Sequence, residues 1–414
     1  MAATTGRTDN PYRWRLLAVT CGLYIGFGLV SASLAPLVAE ISADLDLSRS
    51  TMGVVLGAWQ FVYLVAAIPC GKFLDRHGLR RGLLLGIGLI CLSGILRAGA
   101  FGLPSLLLAV GVFGLGGPLV SVGAPTLVAS WFSTEERGLA TGLVVSGPVV
   151  GSMFTLLTAN SMLMPFFDQR WQLVVASYAF LAASAGAAFA MVTRAVPPGI
   201  EAPWGRNRQG QVPLAQLVAV PLVRVVLVMA ILTFFINHAM SNWLPEMLRD
   251  LGLSPAAAGA WSAVVAVPGL LFGVLVPRLT RPSIRRPLLV GCYVVLGLAL
   301  LPLGERWGWP AALGILAYGA IRSVALPVAM LFLMDDPRVG PANMASAASL
   351  YFTAGEVGGL SGPLTVGFVA DRSGFGTALW VLTAVSWVLA GLAILLRGSG
   401  VDRARVHHRI VRAV

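Results

Sequence analysis

Charge is what this chain has least of. Only 11% of its 414 residues are Asp, Glu, Lys or Arg, while 57% are hydrophobic. Soluble domains carry about twice that charged fraction, so a water-soluble fold is excluded and much of the apolar sequence needs lipid around it. Lysine is nearly missing. Lys72 is the single one, and the net charge of +12 comes almost wholly from arginine. No Lys/Arg-rich run is interleaved with aromatics, so the basic balance does not mark a nucleic-acid groove. Cysteine is scarce too: Cys21, Cys70, Cys91 and Cys292 fall in apolar stretches at unrelated spacings. That pattern excludes a disulfide framework or a metal site and reads as small core residues. Alternating strands are also lacking. The apolar stretches are continuous, which excludes a transmembrane β-barrel.

What is present is a series of long apolar runs. A hydrocarbon layer about 30 Å thick takes about 20 helical residues to cross. The hydropathy pattern predicts twelve such spans, at 15–38, 51–71, 82–101, 105–131, 138–162, 171–193, 222–245, 256–277, 286–303, 310–333, 343–370 and 376–396. The longest polar connection, rich in Pro, Gly and Arg, divides them six and six. The expected organisation is an N-terminal six-helix bundle (1–193), a cytoplasmic linker (194–215) and a C-terminal six-helix bundle (216–414). No small-residue cleavage site follows the first run, which is expected to be an uncleaved helix rather than a signal peptide. With both termini cytoplasmic, 22 of the 29 Lys and Arg residues fall on the inside and six outside, with Arg322 within a span. Cytoplasmic loops retain basic residues, so the expected location is the cell membrane, multi-pass, with both termini inside.

The halves echo one another. "DLDLS" at Asp44–Ser48 recurs as "DLGLS" at Asp250–Ser254, "GKFLDR" from Gly71 is answered by "GVLVPR" from Gly273, and "SGPVVGS" from Ser146 by "AGEVGGL" from Ala354. The three offsets nearly coincide, as two parallel repeats of an alternating-access porter would have it.

Between the second and third spans stands G-K-F-L-D-R-H-G-L-R-R, Gly71–Arg81. It resembles the loop motif of the major facilitator superfamily, G-x-x-x-D-R-x-G-R-R, at Gly71, Asp75, Arg76, Gly78 and Arg80. Leu79 departs from it. The resemblance implies an all-α fold of twelve transmembrane helices in two six-helix pseudo-repeats. It also implies a gating role for these five residues, with Asp75 locking the cytoplasmic side in the outward-open state. A glycine at position 71 is expected to let two helices approach closely. "NWLPEMLRDLGLSPAAAG" (Asn242–Gly259) resembles the seventh-to-eighth helix connection of cyanate/nitroimidazole-type porters and of many organic-anion porters. Gly355, Gly358 and Gly359 are similar to a nitrate/nitrite-porter pattern, but the arginines those porters need in spans two and eight are absent. Monocarboxylate and sugar-porter motifs are absent as well. Gly147-Pro148-x-x-Gly151 resembles part of the fifth-helix motif linked with antiporters, with Ser152 where that motif ends in glycine. Together with Gly114-x-Gly116-Gly117-Pro118 and Gly362-Pro363, it also reads as a helix-packing and hinge position.

Ionisable residues at mid-membrane cost about 2.5–3.5 kcal/mol each on insertion scales, which makes each a functional suspect. Two reach a span midpoint: Arg322 in the tenth and Glu356 in the eleventh. One reading gives Arg322 an anionic substrate group, held by the planar guanidinium fork, and makes Glu356 the proton-coupling carboxyl. The other pairs them as a structural ion pair. Asn237 and His238, followed by Ser241, Asn242 and Trp243, interrupt the seventh span and fit a broken helix lining a cavity. Tyr24, Trp59 and Gln60 supply polar edges for the same substrate cavity, expected between the halves. Arg97 and Arg170, near the outer surface, are expected to snorkel.

The reading is therefore a secondary active porter, not an enzyme, with no catalytic residue, metal or cofactor. It moves a small organic, anionic solute by alternating access with proton coupling, as a monomer in the bilayer. The rival reading is a drug/proton antiporter exporting amphipathic compounds. Arg322 argues against that rival and Gly147-Pro148 argues for it.

Overall fold

The computed structural model describes residues 11–194, 214–336 and 338–396. The expected linker (apart from its ends), Arg7 and the arginines from Arg397 onward lie outside the described residues. Within them the chain is helical throughout. We number the long helices α1 (Tyr12–Ser31), α2 (Arg49–His77), α3 (Leu79–Ala98), α4 (Leu103–Trp131), α5 (Thr134–Thr158) and α6 (Trp171–Arg194). The second set is α7 (Pro221–Asp250), α8 in two pieces (Pro255–Val264 and Ala266–Leu279), α9 (Pro282–Leu300) and α10 (Trp309–Asp335). The run Gly340–Leu395 holds two helices, α11 and α12, parted at Gly374, where φ is 78°. Ten helices are long and apolar enough to cross a membrane, and one of those, Ser346–Leu395, is the double run. The pieces of α8, 10 and 14 residues long, are each too short to cross alone. Counting both cases, the helices number twelve.

Local chemistry explains the ends. Ser48 accepts a hydrogen bond from the Thr51 amide (3.2 Å) and caps α2; Ser254 accepts one from the Ala257 amide (3.3 Å) and caps α8. These serines close the two copies of the Asp-Leu-x-Leu-Ser repeat, so the repeat marks the same turn in each half. Gly78 joins α2 to α3 at φ 82° and ψ 159°, a region essentially reserved for glycine that costs other residues about 1–3 kcal/mol.

The chain divides into two compact units. The first comprises Met1–Asn207, Ser241–Ala263 and Pro363–Asp371; the second comprises Arg208–Met240, Val264–Gly362 and Arg372–Val414. Each has its own close helix pairs, set by glycine. Without a hydrophobic drive between helices in lipid, association depends on such close backbone approach. In the first unit, a Cβ on Gly151 would stand 2.2 Å from the Ile25 carbonyl, and one on Gly28 would stand 2.3 Å from that of Pro148. So α5 lies against α1. In the second unit, α11 lies against α7 in the same way: Cβ atoms on Gly358 and Gly362 would come 1.8 and 2.2 Å from the carbonyls of Ile231 and Phe235. Gly114 meets the Trp59 carbonyl (2.5 Å) as Gly319 meets that of Val265 (2.4 Å). The repeat is thus a repeat of packing. Gly358→Ala should lower stability by about 1–3 kcal/mol, the usual cost of overpacking. A lowered melting temperature of the detergent-purified protein, with wild-type yield of inserted protein, is the expected readout.

Three expectations are corrected. Gly71 brings no helices together, because nothing lies within 4 Å of a Cβ built on it; that face of α2 is turned away from its neighbours. The seventh helix is not broken at Asn237–Trp243, since α7 runs unbroken from Pro221 to Asp250. Polar side chains interrupt hydropathy without interrupting the backbone ladder. Nor does Arg97 snorkel. It is 1% exposed, donating to the Val30 carbonyl (2.7 Å) and to Ser33 Oγ (3.2 Å), with its guanidinium 5.3 Å from the Phe113 ring. The first span breaks after Ser31, before the short helices Ala35–Leu37 and Val38–Leu45. Arg97 meets the carbonyl end of α1 there, where the helix dipole favours a cation.

Candidate functional site

In the first unit, Tyr24 and Trp59 belong to one set of polar and ring contacts that links α1, α2 and α4, and Gln60 is the next residue of α2. Tyr24 Oη donates to the Ser121 carbonyl (3.2 Å), and Tyr63 Oη and Ser121 Oγ stand 2.7 Å apart. Trp59 is half-buried among rings, with centroids 5.3 Å from Phe113, 6.1 Å from Tyr63 and 6.5 Å from Phe27, all edge-on. Gln60 is fully buried. The sequence singled out Tyr24, Trp59 and Gln60 but not Phe27, Tyr63 or Phe113. Their i, i+4 and cross-helix relations to Trp59 appear only once α1, α2 and α4 are packed.

The second unit holds Asn237, His238, Arg322 and Glu356. His238 is half-buried and stacks on Phe234, one turn earlier, with centroids 5.6 Å apart and planes at 30°. Phe234 also meets Tyr351 and Phe352 edge-on, at 6.0 and 6.1 Å. It is the ring against which Gly355 packs, since a Cβ there would stand 2.8 Å from it. The absence of a side chain at 355 thus lets the Glu356 turn of α11 approach the His238 face of α7. From α10, Tyr318 Oη reaches the Asn237 carbonyl at 3.5 Å, while the Arg322 guanidinium lies 5.7 Å from the Tyr318 ring and within Coulombic reach of His238. Three helices therefore bring a guanidinium, an imidazole and two phenol rings together.

Glu356 is 8% exposed, and its Oε2 meets no hydrogen-bond partner among the described residues. No ion pair to Glu356 occurs among the described residues. An unpaired buried carboxyl costs stability, and such groups concentrate where a protein handles ions.

The loop motif is divided between core and surface. Leu79, its departure from the family pattern, is 5% exposed and joins the first unit's core. Arg80 Nε donates to Thr193 Oγ1 at 3.0 Å, tying the start of α3 to the end of α6. Asp75 and Arg76 are exposed on the last turn of α2. In the α10–α11 connection, Arg338 Nη2 lies 2.7 Å from Asp336 Oδ2 and holds that carboxyl below the usual carboxylate range. This contact is fully present at neutral pH and is lost as pH falls through the depressed value.

Comparison with known proteins agrees with this arrangement. The profile of the Major Facilitator Superfamily matches residues 19–363. The 3-(3-hydroxy-phenyl)propionate transporter of Escherichia coli (strain K12) is 27% identical over 399 residues, covering 92% of each chain. The gallate transporter of Pseudomonas putida is 25% identical over 426 residues, covering 95% of this chain and 93% of that one. Among solved structures, a D-xylose-proton symporter superposes with a TM-score of 0.74 at 18% identity, over 92% of this chain and 97% of that one. The helices, their paired repeats and a profile match over most of the length lead to one conclusion: the protein belongs to the Major Facilitator Superfamily and is a multi-pass membrane transporter, not an enzyme.

Proposed function

We propose that the protein is a secondary active porter for a small organic anion, working by alternating access with a coupled proton. The observation that carries the reading is the second unit's cluster. Arg322 supplies a permanent cation with a planar fork suited to a carboxylate, His238 and Asn237 border it, and Glu356 is a buried carboxyl with an oxygen left unbonded. Phe234, Tyr351 and Phe352 give the cluster an aromatic side, which suits a carboxylate joined to a ring. The names of the two relatives support this reading, because hydroxyphenylpropionate and gallate are both ring carboxylates.

In this reading Arg322 holds the anion, Glu356 takes and releases the proton, and Tyr24, Trp59 and Gln60 serve substrate recognition. The Gly71–Arg81 loop, through Asp75 and Arg76, acts at the cytoplasmic gate. The arginine distribution supports a reading in which both termini are inside. The antiporter alternative rests on Gly147 and Gly151, which pack against α1 in a way that serves either direction of transport, while the names of the relatives favour the anion reading.

A thermal-shift screen of the purified protein tests the substrate class. Gallate, 3-(3-hydroxyphenyl)propionate and related anions should raise the melting temperature, and amphipathic cations should not. Stabilisation by the cations alone would sink the anion reading.

A further inference from the structure

A buried cation of the first unit has no part in that transport cycle. Arg97, in the last turn of α3, is 1% exposed. Its Nε meets no hydrogen-bond partner among the described residues, and no ion pair to it occurs among them. An enclosed, unneutralised charge is costly in a membrane protein, and an apolar side chain of the same length would fill the same space. What the charge adds over packing lies in two contacts.

The first is with the backbone of α1. That helix ends at Ser31, and beyond it the Ser33 amide turns to the Val30 carbonyl (3.3 Å) instead of that of Leu29. Side chains of neighbouring helices take up the carbonyls at this end. Thr155 Oγ1 of α5 donates to Leu29 (3.1 Å), while Arg97 Nη1 donates to Val30 (2.7 Å) and to Ser33 Oγ (3.2 Å). A hydrogen bond from a cation to the carbonyl end of a helix is stronger than one from a hydroxyl.

The second contact is with a ring. The guanidinium lies 5.3 Å from the Phe113 ring, on α4. Phe113 is fully buried and stands 5.0 Å from Phe27 and 5.3 Å from Trp59, and Phe27 stands 5.8 Å from Tyr24. Phe27 and Val30, three residues apart on α1, share a face of that helix. Arg97 therefore holds α1 at the Val30 carbonyl and bears, through Phe113, on the ring one turn earlier. Held at both points, α1 has a set rotation and advance along α4, and Tyr24 and Phe27 have set places beside Trp59.

We propose that Arg97 is a positioning residue for substrate recognition, setting the geometry of the Tyr24, Phe27, Trp59 and Phe113 rings without touching the solute. The inference rests on the recognition role proposed for Tyr24 and Trp59. Arg97→Met keeps the length of the side chain and loses its charge and donors, whereas Arg97→Lys keeps a charge and a donor. In purified full-length protein, the dissociation constant of radiolabelled gallate should rise about tenfold in Arg97→Met and stay within about threefold of wild type in Arg97→Lys. Counterflow at saturating gallate should stay within about twofold of wild type in both, because only binding is altered. A wild-type dissociation constant in Arg97→Met overturns the proposal, as does a lost maximal rate with unchanged affinity. Where Arg97→Met fails to insert, Ser33→Ala takes its place, with an expected rise of about threefold; unchanged affinity there overturns the proposal too.

If the wild-type protein binds no gallate, the substrate reading fails and the rings are followed directly. With 4-fluorophenylalanine installed at position 27, the fluorine resonance should shift or split in Arg97→Met and keep its wild-type position in Arg97→Lys. An unmoved resonance in Arg97→Met shows that Arg97 does not position the rings.

Discussion

Arg322→Lys should weaken binding of the transported anion at least tenfold while leaving the protein folded and inserted. The substitution keeps the charge and loses the fork. A guanidinium can donate two parallel hydrogen bonds to one carboxylate, whereas an ammonium presents a compact, strongly hydrated charge that must be desolvated afresh. Hydrogen bonds to charged groups contribute about 1.5–3 kcal/mol, and 1.4 kcal/mol already corresponds to a factor of ten. The shorter side chain also leaves the Tyr318 ring, over which the guanidinium now sits at 5.7 Å. If Arg322 served only to balance Glu356, the lysine variant would be mild and the double neutralisation Arg322→Gln/Glu356→Gln would restore binding. Glu356 makes no ion pair among the described residues, so no such rescue is expected. Equilibrium binding of radiolabelled gallate to the single and double variants separates the two outcomes.

Glu356→Gln should abolish accumulation driven by a proton gradient while sparing counterflow exchange. The two carboxyl oxygens become an amide of nearly the same shape, so packing against Phe234 through Gly355 is preserved. What is lost is the capacity to gain and lose a proton. Counterflow exchanges labelled for unlabelled substrate and needs no net proton movement, so it should survive within about threefold, less than 1 kcal/mol. Accumulation needs the proton and should fall to the level of a facilitator. Because Oε2 has no hydrogen-bond donor to lose, the variant should also melt no lower than the wild type. A melting temperature well below wild type would point to a structural role instead.

Much of this architecture was legible in the sequence, for physical reasons that also mark where legibility stopped. Lipid imposes continuous apolar runs, so the crossings stand out, and the serine ending each copy of the repeat caps α2 or α8. Hydropathy measures polarity along the chain and carries no information about which way a side chain faces. Arg97 sits near the end of a span, where snorkelling is the default for a long cation. The fold instead turns it inward onto the broken end of α1. Gly71 and Gly78 belong to one motif, yet only Gly78 needs its glycine, because a positive φ is a matter of backbone path. The break in α8 at Val265 has its signal one turn downstream, in Pro268, whose ring nitrogen cannot donate to the Val264 carbonyl. Asn237 and His238 drew attention to α7, which is intact. The hydrogen-bonded pairs Arg49–Asp250, Glu40–Arg249 and Ser50–Asp371, at the α1–α2 corner, join residues 201 to 321 positions apart, and no local pattern announces them. For the candidate site, the sequence singled out Arg322, His238 and Glu356 one by one. Their convergence, through Phe234 and Tyr318, depends on how α7, α10 and α11 pack.

The most direct measurement is uptake by proteoliposomes containing the purified wild-type protein, with radiolabelled gallate outside and an inward proton gradient imposed. A cation of similar size, offered in parallel vesicles, serves as control. Gallate should accumulate above its external concentration only while the gradient lasts, a protonophore should collapse the accumulation, and the cation should not accumulate. Gradient-driven movement of the cation, with gallate excluded, would contradict the account.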